Sequence, residues 1–306
     1  MKDKIIAILR DAPEPISGEE IGRRLQVSRV AVWKHIDQLK KSGVEIESTA
    51  RGYRLMATPD IPFPWLFGER ASLIHYHPEL DSTMNQAKEL ARAGCPPYTV
   101  VITDRQTQGR GRLQRVWQSE KGGLYFSMVL RPSLTPKEAP LVNFAVALDL
   151  VLALEECCGI VARVKWPNDV LVDERKIAGI LSQMEFEADQ ITFINIGVGV
   201  NLNNRPEEVD KPAVSALQLT GRSVDRVRVL STFLDLFEKR MSAFSRQEVT
   251  LAWKARTVTL GRRVTVATVR DTYEGLAVDI DEDGGLILET ADGVRQTIFY
   301  GDCFHS

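Results

Sequence analysis

Apolar positions along the first fifty residues recur at helical and then at strand spacing. Ile5, Ile6, Ile8 and Leu9 predict one buried face of a first helix. Asp11-Ala-Pro-Glu-Pro15 must end it, because proline cannot continue a helix interior. Ser17-Gly-Glu-Glu20 has the spacing of a capping box, with Ser17 accepting a backbone N–H and Glu20 reaching back. A second helix then runs through Ile21 and Leu25, Gln26-Val27 turns, and Ser28 caps a third helix from Arg29 to about Lys41. We assign Val30, Val32, Ile36 and Leu39 to the buried side of that third helix. Gly43-Val-Glu-Ile-Glu47 and Gly52-Tyr-Arg-Leu55 alternate like paired strands, with Ser48-Thr-Ala-Arg51 between them as a short wing.

Further along the chain, Leu73-Ile-His-Tyr-His77 alternates, and Asp81-Ser82 is placed to cap a helix through Ala87, Leu90 and Ala91. Thr99–Thr103 and Leu124–Leu130 predict buried strands, and Leu141–Cys158 predicts a long helix. Val161–Lys165 and Asp169–Val172 predict two strands about a Trp-Pro-Asn turn, and Asp173-Glu174 predict the next turn. Ile177–Glu187 and Ile191–Leu202 predict an antiparallel pair, where Gly197 and Gly199 leave room for a ligand against the backbone. Hairpins with separated helices describe an α+β domain rather than a doubly wound parallel sheet. Ser223–Met241 predicts an amphipathic helix with Leu230, Phe233, Leu234 and Phe237 on one side. Four short apolar runs after Val258, divided by Asp283-Gly-Gly285 and Asp292-Gly293, predict a small β-barrel.

Two helices joined by a tight turn and followed by a hairpin make a winged helix-turn-helix. In that arrangement the start of the second helix of the motif enters the major groove. Ser17, Ser28, Arg29, Val30, Trp33, Lys34 and Arg51 are the candidate DNA-contacting residues. Trp33 is expected to pack rather than to touch a base. The proline-dense stretch 57–64 reads as a stiff linker. We therefore expect a winged-helix domain at 1–60, a catalytic domain at 65–255 and a barrel at 256–306.

Bulk properties narrow the class. The chain has 306 residues, 44% hydrophobic and 26% charged, as expected of a soluble protein with two or three domains. The longest apolar stretch, near Phe144–Leu154, contains Asp149 and is too short to span a bilayer. No secretory h-region follows Met1, so we expect a cytoplasmic protein with no membrane partner. Cys95, Cys157, Cys158 and Cys303 lack metal-ligand spacing and read as reduced thiols. The net charge is −2, yet residues 1–56 carry 11 Lys/Arg against 8 Asp/Glu, or +3, leaving −5 on the remainder. A basic amino-terminal module on an acidic body is compatible with nucleic-acid binding.

Candidate chemistry concentrates in two stretches. Gln106-Thr-Gln-Gly-Arg-Gly-Arg-Leu-Gln-Arg-Val-Trp117 sets Arg110, Arg112 and Arg115 on a backbone loosened by Gly109 and Gly111. Guanidinium forks suit phosphate and carboxylate oxygens, so the expected target is an anion under a mobile lid. The competing interpretation is a solvated basic loop. In Lys165-Trp-Pro-Asn-Asp169 and Arg175-Lys176-Ile-Ala-Gly-Ile180, Lys165 and Lys176 flank a strand connection and could converge on one pocket. Asn168 and Asp169 could orient them, or Asp169 could give an oxygen to Mg²⁺. The competing interpretation is a pair of surface lysines beside a turn.

Taken together, these motifs resemble the biotin–protein ligases, and nearly the whole chain is similar to the bifunctional bacterial form that also represses the biotin operon. The resemblance is carried by Gly109-Arg-Gly-Arg112 with Arg115 and Trp117, by Lys165–Asp169, by Lys176–Ile180 and by Asp81-Ser-Thr83. The chain departs from the family at Gln114, where a glycine is frequent, and at Met84, where an asparagine is frequent. The resemblance implies that Ser82, Thr83, Met84, Gln106, Arg110, Gly111, Arg112 and Lys176 bind biotin. It implies Arg112, Lys165 and Lys176 as catalytic groups, with Gly109, Arg115, Trp117 and Asn168 supporting the adenylate and its lid. It further implies ATP and Mg²⁺, an SH3-like barrel, transfer of biotin to the biotin carboxyl carrier protein, operator DNA, and a homodimer in the adenylate-bound state. A biotin sensor without ligase activity, a lipoate or octanoate transferase, and a ligase whose winged helix no longer binds DNA remain alternatives.

Overall fold

The structure is a computed structural model that describes residues 1–132, 134–188, 190–206 and 212–305. Its contacts divide the chain into two compact units, Met1–Ile74 and His75–Ser306.

The first unit holds α1 (Lys2–Asp11), α2 (Gly18–Leu25), α3 (Arg29–Lys41) and the hairpin of β1 (Glu45–Thr49) and β2 (Gly52–Ala57). Ile5, Ile6, Leu9, Ile21, Val32, Ile36, Leu39, Val44 and Ile46 form its core. Trp65 and Leu66, in the short 3₁₀ segment Pro64–Ser72, pack against the same core. Ser17 Oγ accepts from the Glu20 N–H and Ser28 Oγ from the Ala31 N–H, both at 3.1 Å, so each hydroxyl starts its helix. The expected return half of the capping box is absent. The Glu20 carboxylate instead takes hydrogen bonds from Arg24 and Arg23, which hold its pKa below the usual range. Gln26 turns the chain between α2 and α3 at φ 56°. Gly52 sits at φ +136°, where a Cβ would lie 2.2 Å from the Ile16 carbonyl oxygen.

Val30, expected on the buried side of α3, is 62% exposed. Val32, Ile36 and Leu39 follow the helical repeat and carry the core alone. Two positions before Val32, a side chain points to nearly the opposite side of the helix. Trp33 does not pack either and is 56% exposed.

In the second unit, seven strands form one sheet, antiparallel from β4 onward: β3 (Ile74–His77), β4 (Thr99–Thr103), β5 (Leu124–Leu130), β6 (Arg163–Lys165), β7 (Asp169–Val172), β8 (Arg175–Glu187) and β9 (Gln190–Val200). Their order is β3-β4-β5-β9-β8-β7-β6. Every residue of β5 is buried because both faces are covered. Val129 packs with Ala87 and Ala91 of α4 (Thr83–Arg92). Phe126, on the opposite face by strand alternation, meets Phe233 of α7 (Arg226–Ser242), with ring centroids 5.4 Å apart. The long helix α5 (Ala139–Cys158) packs on α7 and on α8 (Arg246–Arg256); a short α6 (Ala216–Thr220) precedes them. The sequence patterns did not pick out α8. Its Trp253 is buried and stacks on Phe144 at 4.4 Å.

The carboxy-terminal strands are β10 (Arg263–Ala267), β11 (Thr272–Ile280), β12 (Leu286–Glu289), β13 (Arg295–Ile298) and β14 (Asp302–His305), in the order β13-β12-β11-β10-β14. The expected SH3-like barrel is contradicted: β13 and β14 are the two ends of this sheet, and no pairing among the described residues closes it. Gly284 lies against Leu141 and Phe144 of α5, and the buried Trp166 donates its Nε1–H to the Gly284 carbonyl at 3.1 Å. The β11–β12 turn of this sheet thus meets α5 and Trp166 of the β6–β7 turn.

Asp149 of α5 is an ionisable group inside this core, with a side chain only 1% exposed. Burial pushes its pKa up, and the Arg240 guanidinium opposes that by donating Nε–H and Nη2–H bonds of 2.7–3.0 Å. Arg240→Ala should cost about 3–5 kcal/mol, because it strands a buried carboxylate. A urea titration checks this. A midpoint shift worth less than about 1 kcal/mol would contradict the role assigned to the pair.

Candidate functional site

One cavity of about 690 Å³ opens in the second unit. Its lining comes from distant parts of the chain: the start of α4, the Arg/Gly loop, the β6–β7 turn, β8, β9 and β14. Ser82, Thr83, Met84, Gln106, Arg110, Gly111, Arg112, Arg115, Trp117, Asn168, Asp169 and Lys176 all face it. Gly109 supports the loop from behind, since a Cβ there would lie 2.2 Å from the Trp117 carbonyl oxygen. Lys165 is not among the lining residues. Burial lowers the pKa of the His305 imidazole, and the charge of Lys165 lowers it further.

Polar groups at the start of α4 form a relay. Gln106 Oε1 accepts from the Thr83 N–H at 2.9 Å and from Thr83 Oγ1 at 3.2 Å. Ser127 Oγ donates to Thr83 Oγ1 at 2.8 Å, and Gln106 Nε2 donates to Ser119 Oγ at 2.8 Å. Ser82 is the N-cap residue, yet its side chain makes no capping bond. Its hydroxyl is fully buried on the cavity wall and has no hydrogen-bond partner within the protein. A buried, unpaired hydroxyl is costly unless a ligand satisfies it. Asp81 is held below its usual pKa by hydrogen bonds from Asn85 and from the Ser82 N–H.

The Arg/Gly loop folds on itself. Gly111 N–H donates to the Arg115 carbonyl at 2.7 Å, and Trp117 N–H to the Gly109 carbonyl at 3.0 Å. Arg112 is half-buried, and its desolvation pulls its pKa below the ordinary guanidinium value. It donates to Asn168 Oδ1 at 3.2 Å and to the Gly301 carbonyl at 3.1 Å. Arg115 pairs with Asp302 of β14. Asn168 in turn donates its Nδ2–H to the Ile180 carbonyl at 2.6 Å. Lys176 Nζ lies 2.6 Å from Asp169 Oδ1 and 5.2 Å from the Trp117 ring centroid. Of the cations lining this cavity, Arg112, Arg115 and Lys176 are thus each already held by an oxygen partner. Leu113, at φ 51°, is 49% exposed at the loop tip.

The glycines of the floor are covered by side chains of the protein itself. A Cβ on Gly199 would lie 2.4 Å from Trp117 Cε2, and one on Gly197 would lie 2.6 Å from Met84 Sδ. A buried Trp117 Nε1 has no partner within the protein. Sequence patterns did not single out Ser119, Ser127, Asn201, Asp302 or Phe304. The last two lie on a strand nearly two hundred residues from the loop they face, and no local spacing could have signalled them.

The first unit offers a second candidate surface. Arg29, Val30, Trp33 and Lys34 are exposed on the first two turns of α3, and Arg51 is exposed in the hairpin turn. Lys40 Nζ donates to Ser48 Oγ at 2.9 Å and ties α3 to the wing.

Three family models match the chain. They are an HTH domain at residues 2–54, the Biotin/lipoate A/B protein ligase family at 76–201 and the Biotin protein ligase C terminal domain at 259–306. The Bifunctional ligase/repressor BirA of Bacillus subtilis is 37% identical over 96% of this chain and 95% of its own length. The chain belongs to the biotin protein ligases. The Biotin–[acetyl-CoA-carboxylase] ligase of Paracoccus denitrificans is 33% identical, covering 73% of this chain and 97% of its own. Among solved structures, the biotin protein ligase from Aquifex aeolicus in complex with biotin and ATP aligns at TM-score 0.64 and 31% identity. That alignment covers 76% of this chain and 98% of the other. No helix among the described residues is long and apolar enough to cross a membrane.

Gly199→Ala should drive the Trp117 indole off the floor, because a new methyl carbon would meet it well inside van der Waals contact. The chain has five tryptophans, so the readout is the emission difference between Gly199→Ala and Gly199→Ala/Trp117→Phe. A difference spectrum shifted to the red of the corresponding one in the parent is expected; an unshifted one would refute the contact.

Proposed function

We propose that this protein activates biotin with ATP and transfers it to a lysine of the biotin carboxyl carrier protein, and that it represses transcription in response to biotin. The observation that carries the ligase reading is the cavity lined together by Arg112, Lys176 and Ser82, whose hydroxyl has no partner, in a chain 37% identical to a ligase/repressor.

In the first step an oxygen of the biotin carboxylate attacks the α-phosphorus of ATP. The bond to the pyrophosphate oxygen breaks, leaving biotinyl-5′-adenylate and pyrophosphate. In the second step the amine of the carrier lysine attacks the acyl carbon, an amide forms, AMP leaves and the amine proton goes to solvent. Both reactants of the first step are anions, so their mutual repulsion must be offset before the oxygen can reach phosphorus. Lys176 and Arg112 supply charge at fixed positions and need not reorganise during the reaction. Ser82, Thr83, Met84 and Gln106 hold the biotin end, Ser82 by gaining the partner its hydroxyl lacks. Gly109, Arg110, Gly111, Arg115 and Trp117 form the cover that keeps water from the mixed anhydride.

Magnesium belongs to the nucleotide in this scheme. Asp169 is ion-paired with Lys176, and no group of three or more His, Cys, Asp or Glu among the described residues is arranged to hold a metal. That donor set does not build a resident cage; magnesium would enter with the triphosphate.

The match of residues 2–54 to an HTH domain supports binding to operator DNA. A homodimer would place two such domains on two half-sites. Adenylate that orders the Arg/Gly loop would favour that dimer, and carrier protein would compete with it for the same loop.

Lys176→Met should lower transfer of labelled biotin to carrier protein by about a hundredfold or more. Lys165→Ala, outside the cavity, should lower it less than tenfold. Equal losses for the two lysines would sink the assignment of Lys176, and full activity of Lys176→Met would sink the proposed chemistry.

A further inference from the structure

Large apolar side chains in the first unit are collected inside, with few exceptions. Two of those exceptions, Val30 at 62% and Trp33 at 56% exposure, stand three residues apart on α3. Residues three apart on a helix share a face. Both lie within the first five residues of α3, after the Ser28 cap. Arg29 and Lys34 flank them and are exposed as well. Further along the same side, Asp37 is paired with Lys41 at 2.8 Å and presents a compensated charge.

The geometry points to a methyl-reading surface: Val30 and Trp33 make apolar contacts with thymine 5-methyl groups in the major groove. This rests on the reading of the first unit as a DNA-binding domain. In the helix-turn-helix geometry it is the start of this helix that meets base edges. Thymine is the base that offers an apolar group there, and its partner in recognition is an apolar side chain. The cations beside the pair suit phosphates, which fix position without reading sequence. A polar recognition helix would pair hydrogen-bonding groups with the bases. This one puts a branched aliphatic and an indole at the reading positions instead. Side chains three apart have Cβ atoms about 5–6 Å from one another. Bases along a strand are spaced at about 3.4 Å. The two methyls therefore lie within about two base steps of each other in each half-site.

A replacement that deletes only the methyl group tests this. The probe is a duplex selected from a randomised pool by the full-length protein loaded with biotin and ATP. Each thymine is then replaced in turn by deoxyuridine, which keeps every hydrogen-bonding edge. Removing one buried methyl should weaken binding about fourfold. We expect this at one or two thymines per half-site and unchanged affinity at the others. At the thymine that Val30 reads, Val30→Ala should bind the uracil and thymine duplexes equally. Trp33→Ala should do the same at its own position. Val30→Thr, which retains a methyl, should preserve part of the discrimination. Wild-type protein that binds every uracil-substituted duplex as tightly as the parent would overturn the inference while leaving DNA binding intact. So would variants that keep full methyl discrimination, or that change only self-association. Failure to select any duplex would overturn the DNA-binding reading itself.

Discussion

The cavity depends on holding partly buried cationic side chains in fixed positions. A buried guanidinium is costly unless its N–H groups find oxygens. Arg112 finds them in Asn168 and in the Gly301 carbonyl, which immediately precede β7 and β14, strands of two different sheets of the second unit. The β6–β7 turn, the carboxy-terminal strand β14 and the Arg/Gly loop are thereby tied at one point. Arg115 on Asp302 repeats the tie a turn away. Lys176 is held in the same manner by Asp169. On the proposed function, substrate anions arriving in this cavity would meet charges whose positions are already determined, so little of the interaction would be spent on ordering the protein.

The carboxy-terminal sheet stays open among the described residues. A closed barrel would pair both edges of the sheet with each other and have its own interior. This sheet instead has β13 and β14 as its ends, sets its Gly284 turn against α5 and Trp166, and brings Asp302 and Phe304 to the cavity. Counting short strands separated by Asp-Gly turns indicates an all-β module. It carries no information on whether the first and last strands meet, because that depends on a fifth strand and on a surface elsewhere in the chain.

Local signals were readable where the physics is local. The helix of Arg29–Lys41, the buried strands Thr99–Thr103 and Leu124–Leu130, and the Asp173-Glu174 turn, both residues at positive φ, follow from spacing and turn chemistry. The motifs at 106–117, 165–169 and 176–180 led to the family because charged and glycine-rich stretches are compact in sequence. Lys165 shows the limit. Eleven residues from Lys176 and beside a turn, it looked placed to converge with it, yet it does not line the cavity. Val30 and Trp33 show another: hydrophobicity alone assigns them to the interior, and only the phase of Val32, Ile36 and Leu39 puts them outside. The relay through Ser119 and Ser127 had no sequence signature, since single serines in strands and loops are common for many reasons.

The most direct test of preorganised charge is calorimetric titration of a non-hydrolysable biotinyl-5′-adenylate analogue into the wild type and into Arg112→Gln, which keeps hydrogen bonding but removes the charge. The account predicts at least tenfold weaker binding by the variant, with the difference largely preserved in 0.5 M salt because the site is shielded from solvent, on the order of what a buried charged hydrogen bond contributes. Equal affinity of the two proteins, or a difference that disappears on adding salt, would contradict it.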